Sequence, residues 1–512
     1  MKKVLVFAIV CLVCATTTWA QLTTWERFST SGADANARVI VGDNRSRTLW
    51  TLGEFKDSFF FGNRLVKGQF DAKSMFWTRL NMEKSEVIDF NYLISTGEIK
   101  ANAALLARNG SLFLTGEFVG KTRLNGVEYT SEFGKMGFLM KIGSDGKAEW
   151  LNLPIAPLLG VEAKMFGIAQ TDDNTFVTAV SSKNILTVNN TQYLPRGGED
   201  SYLLSFDSTG RVLDFKPLGT PFDDKIESMA GDREGNIYIG GIFSGVMDLG
   251  NNISIQANGK SGYLAKFDKK LQPIWAKAEY QSSKEVKFKS IAVGGDGSVA
   301  AVAEFEYVVE VQGKTLQSNA KKDMLIVRYD KKGILQWAKI VGALNEAKPK
   351  KAVFDDDNNL YIVGEYKSGF RLAAEDTSHI VATCGGAAAS AQSGFLVKYT
   401  PSGKVDFAKS ISSFNQTKAE SVWLDFRKDI YIAGQYVRQL QTDTNRTHTS
   451  DGNKDFFIAK INRSSCLFEY DNSKDFVNKD LVFLHQVYPN PSDGTAYFNF
   501  HILKAMSVRL PF

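Results

Sequence analysis

The sequence predicts an all-β protein, a seven-bladed β-propeller of four-stranded antiparallel blades followed by a short C-terminal β tail. Two recurring phrases predict it: a run of strand-forming residues that ends in a small residue, and a later strand that ends in a basic residue. Composition agrees, because 44% hydrophobic and 12% aromatic residues in 512 supply apolar side chains for a large core. Such a chain is not disordered as a whole, and it has neither a collagen-like nor a heptad period.

The first phrase is a strand-like run that is closed by Gly or Ala. Its closing residues are Gly53, Gly116, Ala179, Gly241, Ala303, Gly364 and Gly434. The steps between them are 63, 63, 62, 62, 61 and 70 residues. A unit of this size cannot bury both faces alone, so the copies must stack. Radial stacking protects the sheet edges and favours a propeller. The alternatives are six or eight blades, or a linear solenoid.

The second phrase ends in a basic residue in six of its seven copies and is followed by a turn and an aromatic-led strand. The residues at this position are Arg79, Lys141, Ser205, Lys266, Arg328, Lys398 and Lys460. In the fourth copy we predict strands at 228–231, 236–243, 263–267 and 273–278. Asp, Asn and Gly between the strands tolerate the backbone of tight turns. Each copy is therefore predicted to be a four-stranded meander.

Closure of the ring involves both ends of the repeat region. Residues 25–28 resemble the aromatic-led fourth strand but precede the first copy, whereas residues 467–470 follow the last copy. One of these segments is surplus to seven complete blades. We predict that residues 25–28 complete the blade formed by the last copy.

The N-terminus has the features of a secretory signal peptide over residues 1–20. Lys2 and Lys3 precede a ten-residue apolar run, and a small-x-small sequence ends at Ala20. The run is too short to span a membrane. Cleavage would leave Cys384 and Cys466 in an exported chain, and the sequence leaves open whether they pair. The net charge of +5 is spread singly along the chain, which argues against a nucleic-acid partner.

The two phrases together, as in residues 232–243 and 262–277, resemble the SBBP-type repeat of bacterial extracellular β-propellers. The resemblance covers residues 25–470, within a predicted propeller domain of residues 21–470. It implies a propeller fold and an extracellular setting. It implies no catalytic site, because none is established for that family.

The C-terminal residues 487–512 follow a linker at 471–486 and contain a short motif. Its residues are Tyr488, Pro489, Asn490, Pro491 and Gly494. The motif resembles the start of the C-terminal sorting domain of type IX secretion in Bacteroidota, which implies the type IX machinery as a partner. Only 18 residues follow Gly494, so we expect a partial domain. The predicted destination is secreted or cell-surface, and periplasmic if the truncated tail does not function.

Motifs for catalysis, metal or cofactor binding are not recognisable. The four histidines lack metal-ligand spacing, and no cofactor is predicted. The acidic run 355–357 suggests calcium, but a solvated hairpin turn explains it better. The sixth copy carries about nine extra residues within 371–393, and we treat this insertion as a candidate binding loop. Its marked residues are His379, Cys384, Gly385 and Gly386.

These observations predict a secreted or surface β-propeller that binds a protein or polysaccharide, with no membrane span in the mature chain. One alternative is an extracellular hydrolase whose two carboxylates meet in the central channel. Such carboxylates could come from different blades, so their separation in the sequence does not test this alternative. A structural envelope component is the other. Convergence of two carboxylates in the channel would distinguish the enzyme from the binding module.

Overall fold

A computed structural model describes most of the chain as strands and turns. The described residues are 23–30, 34–61, 64–157, 162–282, 286–318, 322–343, 346–367, 370–371, 379–380, 392–411, 415–443, 446–461, 482–484 and 500–502. These segments contain no helix, so the all-β prediction is confirmed for them, and none of them provides a helix that could cross a membrane. The chain divides into two compact units, Met1–Phe468 and Glu469–Phe512.

The strands are numbered here in chain order. The first are β1 (Thr23–Thr30), β2 (Ala35–Asp43), β3 (Thr48–Lys56), β4 (Ser58–Phe61), β5 (Arg64–Lys67), β6 (Lys73–Asn81), β7 (Val87–Leu93), β8 (Glu98–Leu106), β9 (Leu112–Leu124), β10 (Val127–Ile142) and β11 (Ala148–Asn152). They continue as β12 (Ala156–Pro157), β13 (Ala163–Asp172), β14 (Thr175–Ser182), β15 (Leu186–Val188), β16 (Thr191–Tyr193), β17 (Asp200–Asp207), β18 (Val212–Leu218), β19 (Lys225–Gly231), β20 (Ile237–Gly250), β21 (Ile253–Phe267) and β22 (Pro273–Ser282).

The second half of the repeat region contains β23 (Lys287–Val293), β24 (Val299–Phe305), β25 (Val308–Val311), β26 (Lys314–Gln317), β27 (Asp323–Tyr329), β28 (Leu335–Ala343), β29 (Glu346–Phe354), β30 (Leu360–Lys367), β31 (Phe370–Arg371) and β32 (His379–Ile380). It ends with β33 (Gln392–Tyr399), β34 (Val405–Ile411), β35 (Gln416–Leu424), β36 (Ile430–Asp443) and β37 (Arg446–Ile461). In the second unit, β38 (Val482–Leu484) pairs antiparallel with β39 (Phe500–Ile502).

The pairing follows the sequence repeats. Antiparallel neighbours run β2-β3-β6-β7, β8-β9-β10-β11, β13-β14-β17-β18, β19-β20-β21-β22, β23-β24-β27-β28 and β29-β30-β33-β34. The last copy supplies β35-β36-β37, and β1 pairs with β37. The strands of the fourth copy are longer than the sequence pattern predicts, because β20 and β21 continue into a hairpin arm.

The pairing of β1 with β37 joins the two ends of the repeat region. Trp25 lies opposite Lys460, and Phe28 lies opposite Phe457. This is the partner that the sequence predicts for residues 25–28. The last strand would otherwise present an unpaired edge, which β1 covers.

The first strand of each copy contacts the first strand of the next. These contacts run in the order β2, β8, β13, β19, β23, β29 and β35, and β35 contacts β2. Each buried core cluster joins two consecutive sheets. One cluster packs Tyr431, Phe456 and Ile458 of the last sheet against Phe55 and Phe76 of the first. The hydrophobic core therefore continues from the last copy into the first.

A β-bulge explains the small residue that closes the first phrase. Each first strand carries an extra residue opposite this position, so its backbone presses towards the second strand. A Cβ on Gly241 would lie 1.8 Å from the Lys225 carbonyl oxygen, and one on Gly364 would lie 2.2 Å from that of Lys348. The glycines make this close approach possible. Ala179 and Ala303 show that two copies accommodate a methyl group.

The basic residue of the second phrase packs over an aromatic ring of the neighbouring strand, as the fourth and last copies show. Lys266 lies 5.0 Å from the Tyr238 ring centroid on the neighbouring strand, and Lys460 lies 5.7 Å from that of Tyr431. Such cation–π contacts couple the second strand to the third. The periodic basic residue is therefore a structural element of the sheet, not a ligand site.

The aromatic residue that leads the fourth strand links neighbouring copies. Trp337 Nε1 donates a hydrogen bond to the Pro401 carbonyl oxygen in the next copy at 3.0 Å, and Trp275 Nε1 donates to that of Lys331 at 3.4 Å. A Cβ on Gly403 would lie 3.0 Å from the Trp337 ring. The turn glycine thus makes room for the indole.

Candidate functional site

The first strands contact one another in a cycle, and we call the space inside this cycle the opening. Away from the strand ends, Lys289 and Lys351 are the exposed residues of these strands, whereas their neighbours are buried or half-buried. We define the first strands and the acids beside them as the candidate site.

Buried glutamates of the second strands form ion pairs with lysines. Glu117 lies 2.8 Å from Lys100 and 3.5 Å from Lys135. Burial by itself raises the pKa of Glu117, but the hydrogen bond and charge of Lys100 outweigh it, and the pKa is lowered. Glu117 is therefore an ionised carboxylate held by two lysines.

The same arrangement recurs in two later copies. Glu304 lies 3.0 Å from Lys322 and 3.7 Å from Lys289. Glu365 lies 3.3 Å from Lys418 and 3.6 Å from Lys350. Each of these acids directly follows the small residue that faces the bulge. In β23 and β29 the bulge residue itself, Lys289 or Lys350, lies next to the carboxylate of the second strand.

Carboxylates from different copies do approach one another, but a lysine or arginine lies between them. Lys350 lies 3.6 Å from Glu365 and 3.9 Å from Glu420 of the next first strand. Burial lowers the pKa of Arg38, and the charges of Glu54 and Glu420 more than compensate, so the pKa is raised. Glycoside hydrolysis needs one carboxylic acid with a raised pKa beside a second carboxylate. Acids held by lysines and arginine do not meet that requirement.

Lys351 differs from the other cations of the opening. Its side chain is exposed in area, yet it is enclosed by protein, and this desolvation lowers the pKa of its ammonium group. Exposure and desolvation coexist where neighbouring protein atoms replace much of the bulk solvent around a side chain that water still reaches. Within the described part of the chain, Lys351 forms no ion pair, in contrast to Lys289 and Lys350.

A second group of polar residues, two buried carboxyl groups, lies at the joint between the third and fourth copies. Asp224 is fully buried, and its Oδ2 accepts hydrogen bonds from the Thr220 amide at 2.5 Å and the Thr220 hydroxyl at 2.8 Å. Burial raises the pKa of Asp224 to about 6, and the charge of Asp200 adds to this. Burial also raises the pKa of Asp200, whose carboxylate accepts from the Arg196 amide. Both groups hold loops in place.

Our sequence analysis did not identify these two carboxyl groups. The sequence feature that could have pointed to them is two pairs of adjacent acidic residues, 199–200 and 223–224, near the boundary between two copies. Nothing in that pattern distinguishes buried acids from solvated ones, because burial depends on how the loops pack.

The acidic run at 355–357 forms a hairpin turn. The Asp355 carboxylate accepts from the Asp357 amide at 3.0 Å, the Asn359 amide at 2.8 Å and the Tyr361 hydroxyl at 3.3 Å. Asp357 forms an ion pair with Lys428, which lowers the pKa of its carboxyl group. These bonds support the turn interpretation over calcium. Across the described segments, no three His, Cys, Asp or Glu residues form a potential metal site.

The insertion of the sixth copy is described only in part. Phe370 and Arg371 pair with Ala343 and Gly342 of the preceding sheet, and His379 lies opposite Arg371. The His379 side chain lies outside the described part, as do the remaining marked residues of the loop, Cys384, Gly385 and Gly386. Short hairpins of the first and fifth copies, led by β4 and β25, also pair with a preceding strand. Sequence analysis did not predict these hairpins.

The predicted sorting motif also lies outside the described residues. Its residues are Tyr488, Pro489, Asn490, Pro491 and Gly494. Cys466 lies outside them as well.

No family model matches the sequence, and no curated protein matches it. Among solved structures, a protein of unknown function from Dyadobacter fermentans is 13% identical over 71% of this chain and 95% of its own, with a TM-score of 0.35. A member of the DUF4221 family from Bacteroides vulgatus is 10% identical over 86% and 98%, with a TM-score of 0.32. An ulvan lyase of polysaccharide lyase family PL25 is 10% identical over 74% and 79%, with a TM-score of 0.36. At these scores, the similarities carry no argument about function.

Proposed function

We propose that the described repeat region forms a seven-bladed β-propeller, each blade having four strands, and that it functions as a module that binds a protein or a polysaccharide. Three features support the ring: first strands that contact in a closed cycle, a core that continues from the last sheet into the first, and the pairing of β1 with β37. A linear solenoid would leave its end sheets without such contacts.

The observation that carries the binding function is the charge arrangement of the opening. Glu117, Glu304 and Glu365 are each held by lysines, and Lys289 and Lys351 are exposed. Fixed, ionised groups on a rigid framework suit recognition of a charged partner. They do not suit proton transfer, which needs an acid or base whose pKa lies near the working pH.

We also propose export through the N-terminal signal peptide, with membership of the SBBP-type propellers and a partial type IX sorting domain at the C-terminus. The support comes from the sequence: the leader at 1–20, the 62-residue repeat and the motif at 488–491. The predicted destination stays secreted or cell-surface, or periplasmic if the tail is not functional. N-terminal sequencing and fractionation of expressing cells test this proposal.

Ring closure is tested by deleting residues 23–30, which form β1. Loss of β1 exposes the edge of β37, so we expect a large loss of thermal stability and association of the deleted chain. A control deletion of residues 503–512 leaves the pairings of the first unit in place. A deleted chain that stays monomeric with unchanged stability would overturn the closed ring.

Binding is tested with the full chain on a panel of purified neutral and acidic polysaccharides and envelope proteins, measured by surface plasmon resonance. We expect saturable binding that is lost when residues 23–30 are deleted, together with no release of reducing ends or peptides. Binding that persists in the deleted chain would show that the ring is not the recognition element. Turnover of a panel member would favour the hydrolase.

A further inference from the structure

Lys351 occupies a position that is serine in both flanking first strands. The residue after the bulge is Ser290 in β23 and Ser421 in β35. The Ser290 hydroxyl accepts a hydrogen bond from the Ala352 amide at 3.0 Å, and the Ser421 hydroxyl accepts one from the Ile40 amide at 3.2 Å. Each serine therefore ties its strand to the next first strand.

The first strand of the fourth copy, β19, also has a serine at this position and forms the same kind of hydrogen bond. Its Ser228 hydroxyl accepts from the Ile291 amide of β23 at 3.0 Å. Lysine at the equivalent position of β29 has no acceptor to offer, because an ammonium group only donates. Lys351 thus replaces a hydrogen bond between neighbouring strands with a positive charge in the opening.

The surroundings of Lys351 are rich in cations. The strand of Lys351 and the first strands on either side of it, β23, β29 and β35, together carry six lysines and two glutamates. Lys289, Lys348 and Lys350 each lie within 4 Å of a glutamate. Within the described segments, Lys351 has no such partner. The opening therefore has an uncompensated positive charge at this point.

We propose that Lys351 forms a binding site for a small oxyanion, a carboxylate, sulfate or phosphate group, inside the opening that the first strands bound. The proposal rests on the propeller proposed above, because the opening exists only if the ring is closed. An ammonium group supplies three donors and a compact charge, which suits an oxyanion. The ion pair is strengthened where protein replaces bulk water.

The pH dependence of binding follows from the same side chain. Desolvation lowers the pKa of Lys351, so the fraction of its cationic form falls as the pH rises through that lowered value. Only the cation attracts an oxyanion. We therefore expect sulfate affinity to fall as the pH rises, and bound sulfate to raise the pKa of Lys351.

The test measures acylation of individual lysines in the full chain by mass spectrometry, with sodium sulfate or sodium phosphate replacing sodium chloride at constant ionic strength. We expect both salts to protect Lys351 from acylation, while the exposed turn residue Lys270 reacts at an unchanged rate. Sodium acetate tests the carboxylate arm in the same way. The concentration dependence of protection gives the dissociation constant for each anion.

Two variants at this position separate charge from structure. Lys351→Ser restores the residue found in the flanking strands, so it should fold and keep its thermal stability. We expect calorimetric sulfate affinity to fall about tenfold, the loss typical of one charge-assisted hydrogen bond. Lys351→Arg keeps the charge and should bind sulfate with similar affinity, and Lys270→Ser serves as the distant control.

The proposal is overturned if none of the three anions protects Lys351, or if Lys351→Ser binds sulfate as tightly as the unmodified chain. If the ring and its macromolecular binding stand while the anions fail, the oxyanion site alone is wrong. If deletion of residues 23–30 shows that the ring is not closed, the proposed function and this site fall together.

Discussion

Asp224 should make the stability of the protein depend on pH. Its carboxyl group is fully buried, and the Thr220 amide and hydroxyl both donate to Oδ2. Ionising such a group in the folded protein is unfavourable because the carboxylate is removed from water. Burial therefore raises the pKa from 3.8 to about 6.

The direction and magnitude follow from linkage. A pKa that is raised on folding means that the folded protein binds the proton more tightly than the unfolded chain does. The resulting stabilisation is fully present below pH 3.8 and is lost as the pH rises through about 6. A difference of about two pKa units corresponds to about 3 kcal/mol, at about 1.4 kcal/mol per unit.

The assay is urea unfolding of the full chain and of Asp224→Asn at pH values from 4 to 7. Asparagine is neutral at every pH, so the difference in unfolding free energy between the two proteins should change by about 2.5 kcal/mol over this range, because the unfolded carboxyl group is already partly ionised at pH 4. The unmodified protein should gain relative stability at low pH. Asp173→Asn removes an exposed carboxylate and controls for the general loss of one charge. A difference that does not vary with pH would refute the reasoning.

Two further predictions concern the contacts that generate the sequence repeat. Gly364→Ala should lower the unfolding free energy by about 1–3 kcal/mol, because its Cβ would lie 2.2 Å from the Lys348 carbonyl oxygen. Gly295→Ala, where only one atom lies within 4 Å, is the matched control, and equal losses of urea stability in both would contradict the explanation. Trp337→Phe removes the hydrogen bond to the Pro401 carbonyl oxygen and should cost about 1 kcal/mol. Amide exchange in the turn at 400–404 should then be faster, and unchanged exchange would show that the indole bond does not anchor the turn.

Much of the fold was predictable because both phrases report local contacts. Gly241 recurs in its repeat because a bulged neighbouring strand leaves no room for a side chain. Lys266 recurs because it lies over an aromatic ring of the adjacent strand. Such requirements repeat with every sheet, so they appear in the sequence at a constant period.

The site was much less predictable. Glu365 and Lys418 come from different sheets, and Glu420 approaches Lys350 only because two first strands are neighbours. Lys351 looks like any other lysine of a basic strand until its strand is placed in the cycle. The hairpins that pair with preceding strands were missed for the same reason, because their partners lie in another copy.

The sequence by itself determined the all-β class, the period of the repeat and the identity of the residues that each sheet needs, because these depend on contacts within one copy. Tertiary structure alone decided which charged residues meet in the opening, that Asp224 is buried, and that Lys351 has no counter-ion among the described residues. The physical reason is that electrostatic environment and burial depend on neighbours that are distant in sequence. A pattern with a period of about 62 residues identifies the strands of each sheet. It does not identify the charged groups that approach that sheet from the neighbouring sheet.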